Sequence, residues 1–355
     1  MSTIGIRLRA PGARLRARGL VWLVARQHRA ALWAGLAVVV AIAAYIVWQR
    51  AEMVGYMRAH DILGCADWTS EALCHGREIS PSPQKGTNPT AEAFRHLGAT
   101  YRTPLLNTGR LLIALPVLIG VFIGAPLLAR ELETGTHQVV WTQSIGRTRW
   151  LIAKLALPLV AVTAGTAVLA ALYTWWWRAA RVPFQDIAWG TAVPFDATGP
   201  AAVVLAPLSF LLGAAAGLLL RRTLPAMAVA LGATAGVQYG LDALRPHLMT
   251  PRTIVSALSD DITSPRVYFN SWRGLGDGYL SRSGEKIPLE RCSSAVGAHG
   301  WDRCFARLGA TKKWYEELHP ASHYWPMQWM QAGICLAAAV ALAAFCLWWI
   351  GRRRA

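Results

Sequence analysis

Charged residues are scarce in this sequence of 355 residues, and acidic residues are the scarcest. Asp, Glu, Lys and Arg together make up 15% of the chain, against about 25% in ordinary soluble domains. Six apolar runs contain no charged residue; they are Leu32–Trp48, Leu111–Ala129, Leu155–Trp177, Ala201–Leu220, Pro225–Leu241 and Met327–Ile350. Since a membrane span needs roughly 20 apolar residues, the runs predict six transmembrane helices and argue against a soluble protein.

Several functional motifs are also missing. The sequence has no G-x-x-x-x-G-K-[ST] loop, so the chain is predicted to bind no ATP or other cofactor by itself. No Asp, Glu, Lys, Arg or His lies in an apolar run, which weighs against an ion-driven carrier and against an intramembrane enzyme. His319 and His323 lie four residues apart, but Pro320 between them argues against a helical metal pair, and no metal site is predicted.

The basic residues are distributed unevenly about the apolar runs. If Met1 is cytoplasmic, the inner side receives segments 1–31, 130–154, 221–224 and 351–355. These segments carry 16 of the 36 Lys and Arg residues but only two of the 19 acids, Glu131 and Glu133. Because inner loops of membrane proteins are enriched in basic residues, both termini are predicted to be cytoplasmic. The net charge of +17 is then expected to meet anionic membrane lipids, and no nucleic-acid partner is predicted.

The predicted fold is therefore an all-α integral membrane protein with six spans. Residues 1–31 form a basic tail that suits a helix in the membrane interface, with a disordered tail as the alternative, and they lead into a retained anchor rather than a cleavable signal peptide. Residues 32–241 contain spans 1–5 and an outer loop over 50–110. Residues 242–326 form an extracellular loop or cap, and residues 327–355 contain span 6 and a basic C-terminus.

Four of the six cysteines lie in the two long loops that the charge distribution places outside the cell. Cys65 and Cys74 are in the first loop, and Cys292 and Cys304 are in the second. Because the extracellular side is oxidising, the sequence predicts one disulfide in each loop.

Glycines recur at intervals of four residues on two spans. Gly213 and Gly217 lie on span 4, and Gly232, Gly236 and Gly240 lie on span 5. Such small-residue steps let two helices approach closely in a membrane. The sequence leaves open whether these faces pack within one chain or between two copies.

The polar segment 130–150 joins spans 2 and 3 on the inner side. Two acids, Glu131 and Glu133, follow span 2, and Gly135 permits a break in the chain. Thr136 can then cap a short helix over His137–Ser144, after which the chain re-enters the membrane. The pattern predicts a short helix lying across the inner surface.

This segment resembles the ABC-2 type transporter permeases, in which span 2 runs into a Glu-x-Glu-x-Gly-Thr segment before a short helix and a basic residue. The matching residues here are Glu131, Glu133, Gly135, Thr136 and Arg147. The resemblance implies a coupling helix that docks on a cytoplasmic ABC ATPase subunit, which would hold ATP and Mg. It assigns the coupling role to Glu131, Glu133, Gly135, Thr136 and Arg147. Thr134, Gln143 and Arg149 belong to the same segment and are predicted to share that role. The resemblance also implies export from the cell, and a second permease copy or a related permease as partner. The substrate does not follow from the resemblance; the charge-free spans predict a hydrophobic or amphipathic one, such as a drug, a lipid or a modified peptide.

Another class of function is kept as the alternative: a membrane sensor or scaffold with a disulfide-stabilised extracellular ligand-binding domain. Arg outnumbers Lys by 31 to 5, which is typical of a GC-rich bacterial genome. The chain is therefore predicted to be a multi-pass protein of the bacterial plasma membrane.

Peptide mapping under non-reducing conditions tests the pairing of the loop cysteines. We expect linked peptides that join Cys65 to Cys74 and Cys292 to Cys304, since each pair shares one loop. Free thiols at all four positions would contradict both the pairing and the predicted orientation.

Overall fold

A computed structural model describes residues 26, 29–60, 62, 89–135, 146–181, 184, 187, 189–257, 272–293 and 298–352. Within these residues six helices are long and apolar enough to cross a membrane. They cover Arg29–Ala59, Glu92–Glu133, Arg147–Ala180, Gly199–Leu220, Thr223–His247 and Ala321–Arg352. The fifth includes a 3-10 turn after its α-helix, Arg245–His247, and the sixth includes one before its α-helix, Ala321–His323; both turns are treated below as connections to the spans. The six predicted apolar spans are therefore confirmed as helices.

The first five spans are built as follows. Span 1 is helix α1, Arg29–Ala59. Span 2 begins as α2, Pro89–Leu118, continues as a π-helical segment, Ile119–Gly124, and ends as α3, Ala125–Glu133. Span 3 is α4, Arg147–Ala180, and a short helix α5, Ala192–Ala197, precedes span 4. Span 4 is α6, Gly199–Leu220, and span 5 is α7, Thr223–Leu244.

A four-stranded antiparallel sheet lies between spans 5 and 6. In chain order its elements are β1 (Arg252–Ala257), β2 (Trp272–Ser281), β3 (Lys286–Pro288), helix α8 (Ala298–Arg307) and β4 (Ala310–His319), and span 6 follows as α9 (Tyr324–Arg352). The strand order is β1-β4-β2-β3. The prediction of an all-α protein is wrong for this part, because the sheet pairs segments that are distant in sequence. Arg252, for example, lies opposite Leu318.

The helices extend beyond the charge-free runs, so the loops between them are shorter than predicted. Helix α1 continues to Ala59 and α2 begins at Pro89, so much of the predicted loop 50–110 is helical. Likewise α7 extends to Leu244, and α9 begins at Tyr324. Charged residues such as Glu52 mark the end of the apolar run, but an exposed charge beyond the hydrocarbon does not end a helix.

Span 4 lies at the centre of the bundle. It packs against spans 2, 3, 5 and 6, and 67% of its most apolar window is buried. Its contact with span 2 is close because glycines face backbone there. A methyl group built on Gly213 would lie 2.1 Å from the Gly120 carbonyl oxygen, and one on Gly217 would lie 2.5 Å from that of Ala125. The π-helical segment of span 2 also brings Gly124 against the Phe210 carbonyl oxygen.

The glycines of span 5 have different surroundings. Within the described residues, nothing outside their own helix lies within 4 Å of a methyl group built on Gly232, Gly236 or Gly240. The glycine step of span 4 thus packs within one chain, whereas that of span 5 faces away from the described bundle.

The sheet carries one of the two predicted disulfides. Cys292 and Cys304 are bonded to each other, which links the turn after β3 to helix α8. Cys65 and Cys74 lie outside the described residues, and their pairing stays a prediction.

Polar contacts fasten the short helix α5 to the spans at the sheet end of the bundle. The buried guanidinium of Arg245, just after span 5, pairs with Asp196 and with Asp242. Gln328 on span 6 donates to the Phe195 carbonyl at 2.7 Å and accepts from the Ala201 amide at 3.1 Å. These contacts give the polar groups hydrogen-bond and ion-pair partners that lipid could not provide.

Replacing Gly213 by alanine tests the packing of spans 2 and 4. The added methyl group would overlap the Gly120 carbonyl oxygen, and overpacking of this kind costs about 1–3 kcal/mol. We expect Gly213→Ala to lower the thermal unfolding midpoint of the purified protein. The matched control is Gly333→Ala on span 6, where a methyl group meets nothing within 4 Å among the described residues. Equal midpoints for the two variants would contradict the close contact.

Candidate coupling site

The segment between spans 2 and 3 leaves the bundle through a short turn. Helix α3 ends at Glu133, and both the amide and the hydroxyl of Thr134 donate to the Arg130 carbonyl, at 3.1 and 2.9 Å. Gly135 follows with a φ of +72°, a left-handed conformation that favours glycine. The predicted helix His137–Ser144 lies outside the described residues. The chain is described again at Gly146, whose extended backbone precedes α4.

Glu133 reaches from the end of span 2 to the beginning of span 5. Its Oε2 accepts a hydrogen bond of 2.9 Å from the Thr223 amide and one of 2.7 Å from the Thr223 hydroxyl. Thr223 is the first residue of α7, and the preceding residue, Arg222, makes no side-chain capping bond. A carboxylate at this position satisfies an orphan amide and lies at the positive end of the helix dipole. Glu133 therefore caps span 5 from another span.

Glu131 makes a second contact between spans. Its carboxylate forms an ion pair with Lys154 on span 3. The lysine side chain is only 6% exposed and that of Glu131 is 17% exposed. Since a charge buried at a helix packing surface needs a partner, this pair fixes the end of span 2 against the beginning of span 3.

Basic side chains occupy the surface around these contacts. Arg130, Arg149, Arg221 and Arg222 are all exposed. Arg221, the residue after span 4, has a left-handed conformation with φ of +55°. The turn to span 5 consists of Arg221 and Arg222 alone. The described surface at this end of the bundle is thus basic, while its two acids contact spans 3 and 5.

The structure brings only some of the predicted coupling residues together. Glu131, Glu133, Thr134 and Gly135 lie within five consecutive positions at and just after the end of span 2. Arg147 and Arg149 lie in the first turn of span 3. Thr136 and Gln143 lie outside the described residues.

Lys154 and Thr223, which contact the two acids, are not among the residues predicted from the sequence. A local signal existed for each residue. Lys154 is the last charge before the third apolar run, and Thr223 follows the Arg221–Arg222 turn directly. Which acid each would meet depends on how spans 2, 3 and 5 pack together.

No metal centre is found among the described parts of the chain, where no group of three or more His, Cys, Asp or Glu side chains could hold an ion. What the site can do chemically is to connect helices through ion pairs and hydrogen bonds.

Single and paired substitutions test the ion pair of Glu131 and Lys154. Glu131→Gln leaves a buried ammonium group without its counter-charge, and the loss of one partner from a buried pair costs about 3–5 kcal/mol. We expect Glu131→Gln to lower the thermal unfolding midpoint clearly. The double variant Glu131→Gln with Lys154→Met should recover most of the loss, because no buried charge remains. A double variant as unstable as the single one would contradict the pairing.

Comparison with known proteins gives the family of the chain. The comparisons with curated proteins and with solved structures found no match. A family model described as "ABC-2 membrane transporter related" matches residues 36–245, which is more than half of the chain and includes spans 2 to 5 and the segment between spans 2 and 3. The chain is a multi-pass membrane protein that belongs to the ABC-2 membrane transporter related family.

Proposed function

We propose that this protein is the membrane-spanning permease subunit of an ATP-driven ABC exporter, and that residues 130–150 couple it to a separate ATPase subunit. The family suggests a permease of an ABC transporter that associates with an ABC ATPase. The direction of transport, the coupling role and the substrate are our inferences from the residues.

The observation that carries the proposal is the pair of acids at the end of span 2. Glu131 contacts Lys154 of span 3, and Glu133 contacts Thr223 of span 5. The polar segment is therefore joined to three spans within a few residues: covalently to spans 2 and 3, and by hydrogen bonds to span 5. A displacement of the segment could therefore act on spans 2, 3 and 5 together.

These attachments suggest how movement would pass into the membrane. If a partner displaces the segment, span 2 moves with it, and the Glu133–Thr223 contact carries the beginning of span 5 along. Span 4 follows, because the turn of Arg221 and Arg222 links it directly to span 5. Packed helices that shift together in this way are one of the usual forms of a switching transition.

The acids thus act within the chain in our proposal, and the surface offered to the ATPase is basic. Arg149, Arg221 and Arg222 are exposed around the segment. An acidic surface on the ATPase would complement them, and such complementarity favours a specific encounter. Inner-leaflet anionic lipids would bind the same charges at the edge of the contact.

The transport path is proposed to form between two permeases. Six spans are few for a path that admits a bulky molecule, and the glycine face of span 5 has no neighbour among the described residues of one chain. The charge-free spans suit a hydrophobic or amphipathic substrate. The proposed location is the bacterial plasma membrane.

Copurification tests this function directly. The tagged chain, extracted from the membranes of its own host in mild detergent, should carry with it a protein that hydrolyses ATP. Adding the permease to that protein should change its ATPase rate. A chain that purifies alone and binds an external ligand without nucleotide would instead favour the sensor or scaffold.

Two substitutions test the coupling segment in the reconstituted complex. Glu133→Ala removes the cap of span 5. Gly135→Pro places a proline, whose ring requires a φ of about −65°, at a position where the native φ is +72°. Both variants should insert normally but lower ATP-driven transport and the ATPase response, and Gly135→Pro should be the more severe.

The matched control for these variants is Glu285→Ala, which removes an exposed acid from a turn of the sheet and should transport like the wild type. Thr223→Val should reproduce part of the Glu133→Ala defect, because it removes one of the two donors. Wild-type transport by both coupling variants would overturn the proposed role of the segment.

A further inference from the structure

The imidazole of His319 contacts both connections that join the sheet to the spans. His319 is the last residue of β4 and is completely buried. Its Nε2 lies 3.1 Å from the Pro246 carbonyl oxygen, in the connection from span 5 to β1. Its Nδ1 lies 3.0 Å from Nδ1 of His323, in the connection from β4 to span 6. One side chain thus fastens the entry and the exit of the sheet.

The contacts determine where the protons lie in the neutral pair. A carbonyl oxygen can only accept, so Nε2 of His319 carries its proton and donates to Pro246. Nδ1 of His319 then has a lone pair, and Nδ1 of His323 donates to it. A ring nitrogen facing another at 3.0 Å requires that one of them be without a proton.

We propose that the contact between His319 and His323 is an acid-sensitive clasp, which holds the sheet against spans 5 and 6 at neutral pH and releases it when both rings are protonated. The first proton leaves the contact intact, because one ring can still donate to the other. The second proton places two N–H groups and two positive charges face to face.

Among the described residues, no contact of either ring is with a carboxylate that could compensate the second charge. Arg252 on β1 acts electrostatically on His323, and its positive charge adds to the repulsion. Trp272 on β2, whose ring centre is 5.4 Å from that of His319, is uncharged. In the span 5 connection, His247 is exposed.

Carboxylates described on β4 and at the sheet end of the bundle have partners of their own. Glu317, two residues before His319 on β4, pairs with Lys286. The carboxylates of Asp196 and Asp242 contact Arg245, and the hydroxyl of Tyr324, at the start of span 6, lies 2.8 Å from that of Thr198. The described groups near the doubly protonated pair are therefore positively charged, uncharged, or already in an ion pair or hydrogen bond.

Burial of His319 also favours release of the sheet in acid. It lowers the pKa of His319 below the ordinary value of 6.5, although the bond to the Pro246 carbonyl opposes the shift. An unfolded or detached histidine therefore binds its proton at higher pH than the clasped one. The clasp contributes its full stability above about pH 6.5 and loses it as the pH falls below that value.

Hydrogen–deuterium exchange on the full chain in phospholipid nanodiscs tests the clasp. The peptides that cover β1 and the Pro246 connection are to be compared at about pH 8 and about pH 4.5, after correction for the intrinsic pH dependence of amide exchange. We expect their corrected exchange to be about tenfold faster in acid, which corresponds to about 1.4 kcal/mol of lost protection. Exchange within span 4 should not change. Equal corrected exchange of the sheet peptides at the two pH values would overturn the proposal.

Two variants separate the clasp from general acid effects. Glutamine at position 323 can donate or accept but cannot gain a charge, so His323→Gln should lose most of the acid response. His247→Gln, which changes the exposed histidine nearby, should keep the full response. An undiminished response in His323→Gln, or its loss in His247→Gln, would overturn the proposal.

Nitrogen-15 chemical shifts of the imidazoles in the wild type give a readout that does not depend on the variants. The shifts should show one protonated nitrogen in each ring at neutral pH and two in each ring when the sheet is released. Release of the sheet while both rings stay neutral would also overturn the proposal.

Discussion

The cost of placing a charge in hydrocarbon determines where this protein can make specific contacts. Its six charge-free runs cross the membrane, so ion pairs and charged caps are confined to the two ends of the bundle. At one end Glu131 and Glu133 connect span 2 to spans 3 and 5. At the other end Arg245 connects span 5 to the short helix α5. Between these ends the helices are held by packing and by hydrogen bonds of uncharged groups, such as the one that Gln238 on span 5 donates to the Ile113 carbonyl of span 2 at 2.8 Å.

That packing depends on backbone approach, because lipid gives apolar helices no hydrophobic reason to associate. The glycines of spans 2 and 4 supply the approach at the centre of the bundle, where Gly124 and Gly213 face carbonyl oxygens of the neighbouring span. Spans 2 and 4 are therefore expected to behave as one rigid body. A displacement at the end of span 2 would reach span 5 both through this body and through Glu133.

The sequence predicts the spans well because their signal is local. A run without charge and of sufficient length is recognised residue by residue, and each predicted run lies within an observed helix. The sheet between spans 5 and 6 was missed, since β1 pairs with β4 across most of the intervening segment. The pairing of Cys292 with Cys304 was predicted because the two residues share one short stretch.

At the coupling site, too, local features are predicted from the sequence and contacts between spans are not. The two acids and Gly135 stand out in the sequence as an unusual pattern on a basic face, and the family match includes them. Their partners Lys154 and Thr223 could not be assigned, because each contact joins residues from different spans. Ion pairs between distant segments follow from helix packing, which no local pattern encodes.

Site-specific photo-crosslinking in the host membrane tests the central claim most directly. A photoreactive amino acid in place of Thr134, an exposed position at the end of span 2, should capture an ABC ATPase subunit. The same group in place of Glu285, in an exposed turn of the sheet, should not. Capture of the ATPase from position 285, or of no ATPase from position 134, would contradict an ATP-driven permease that is coupled through this segment.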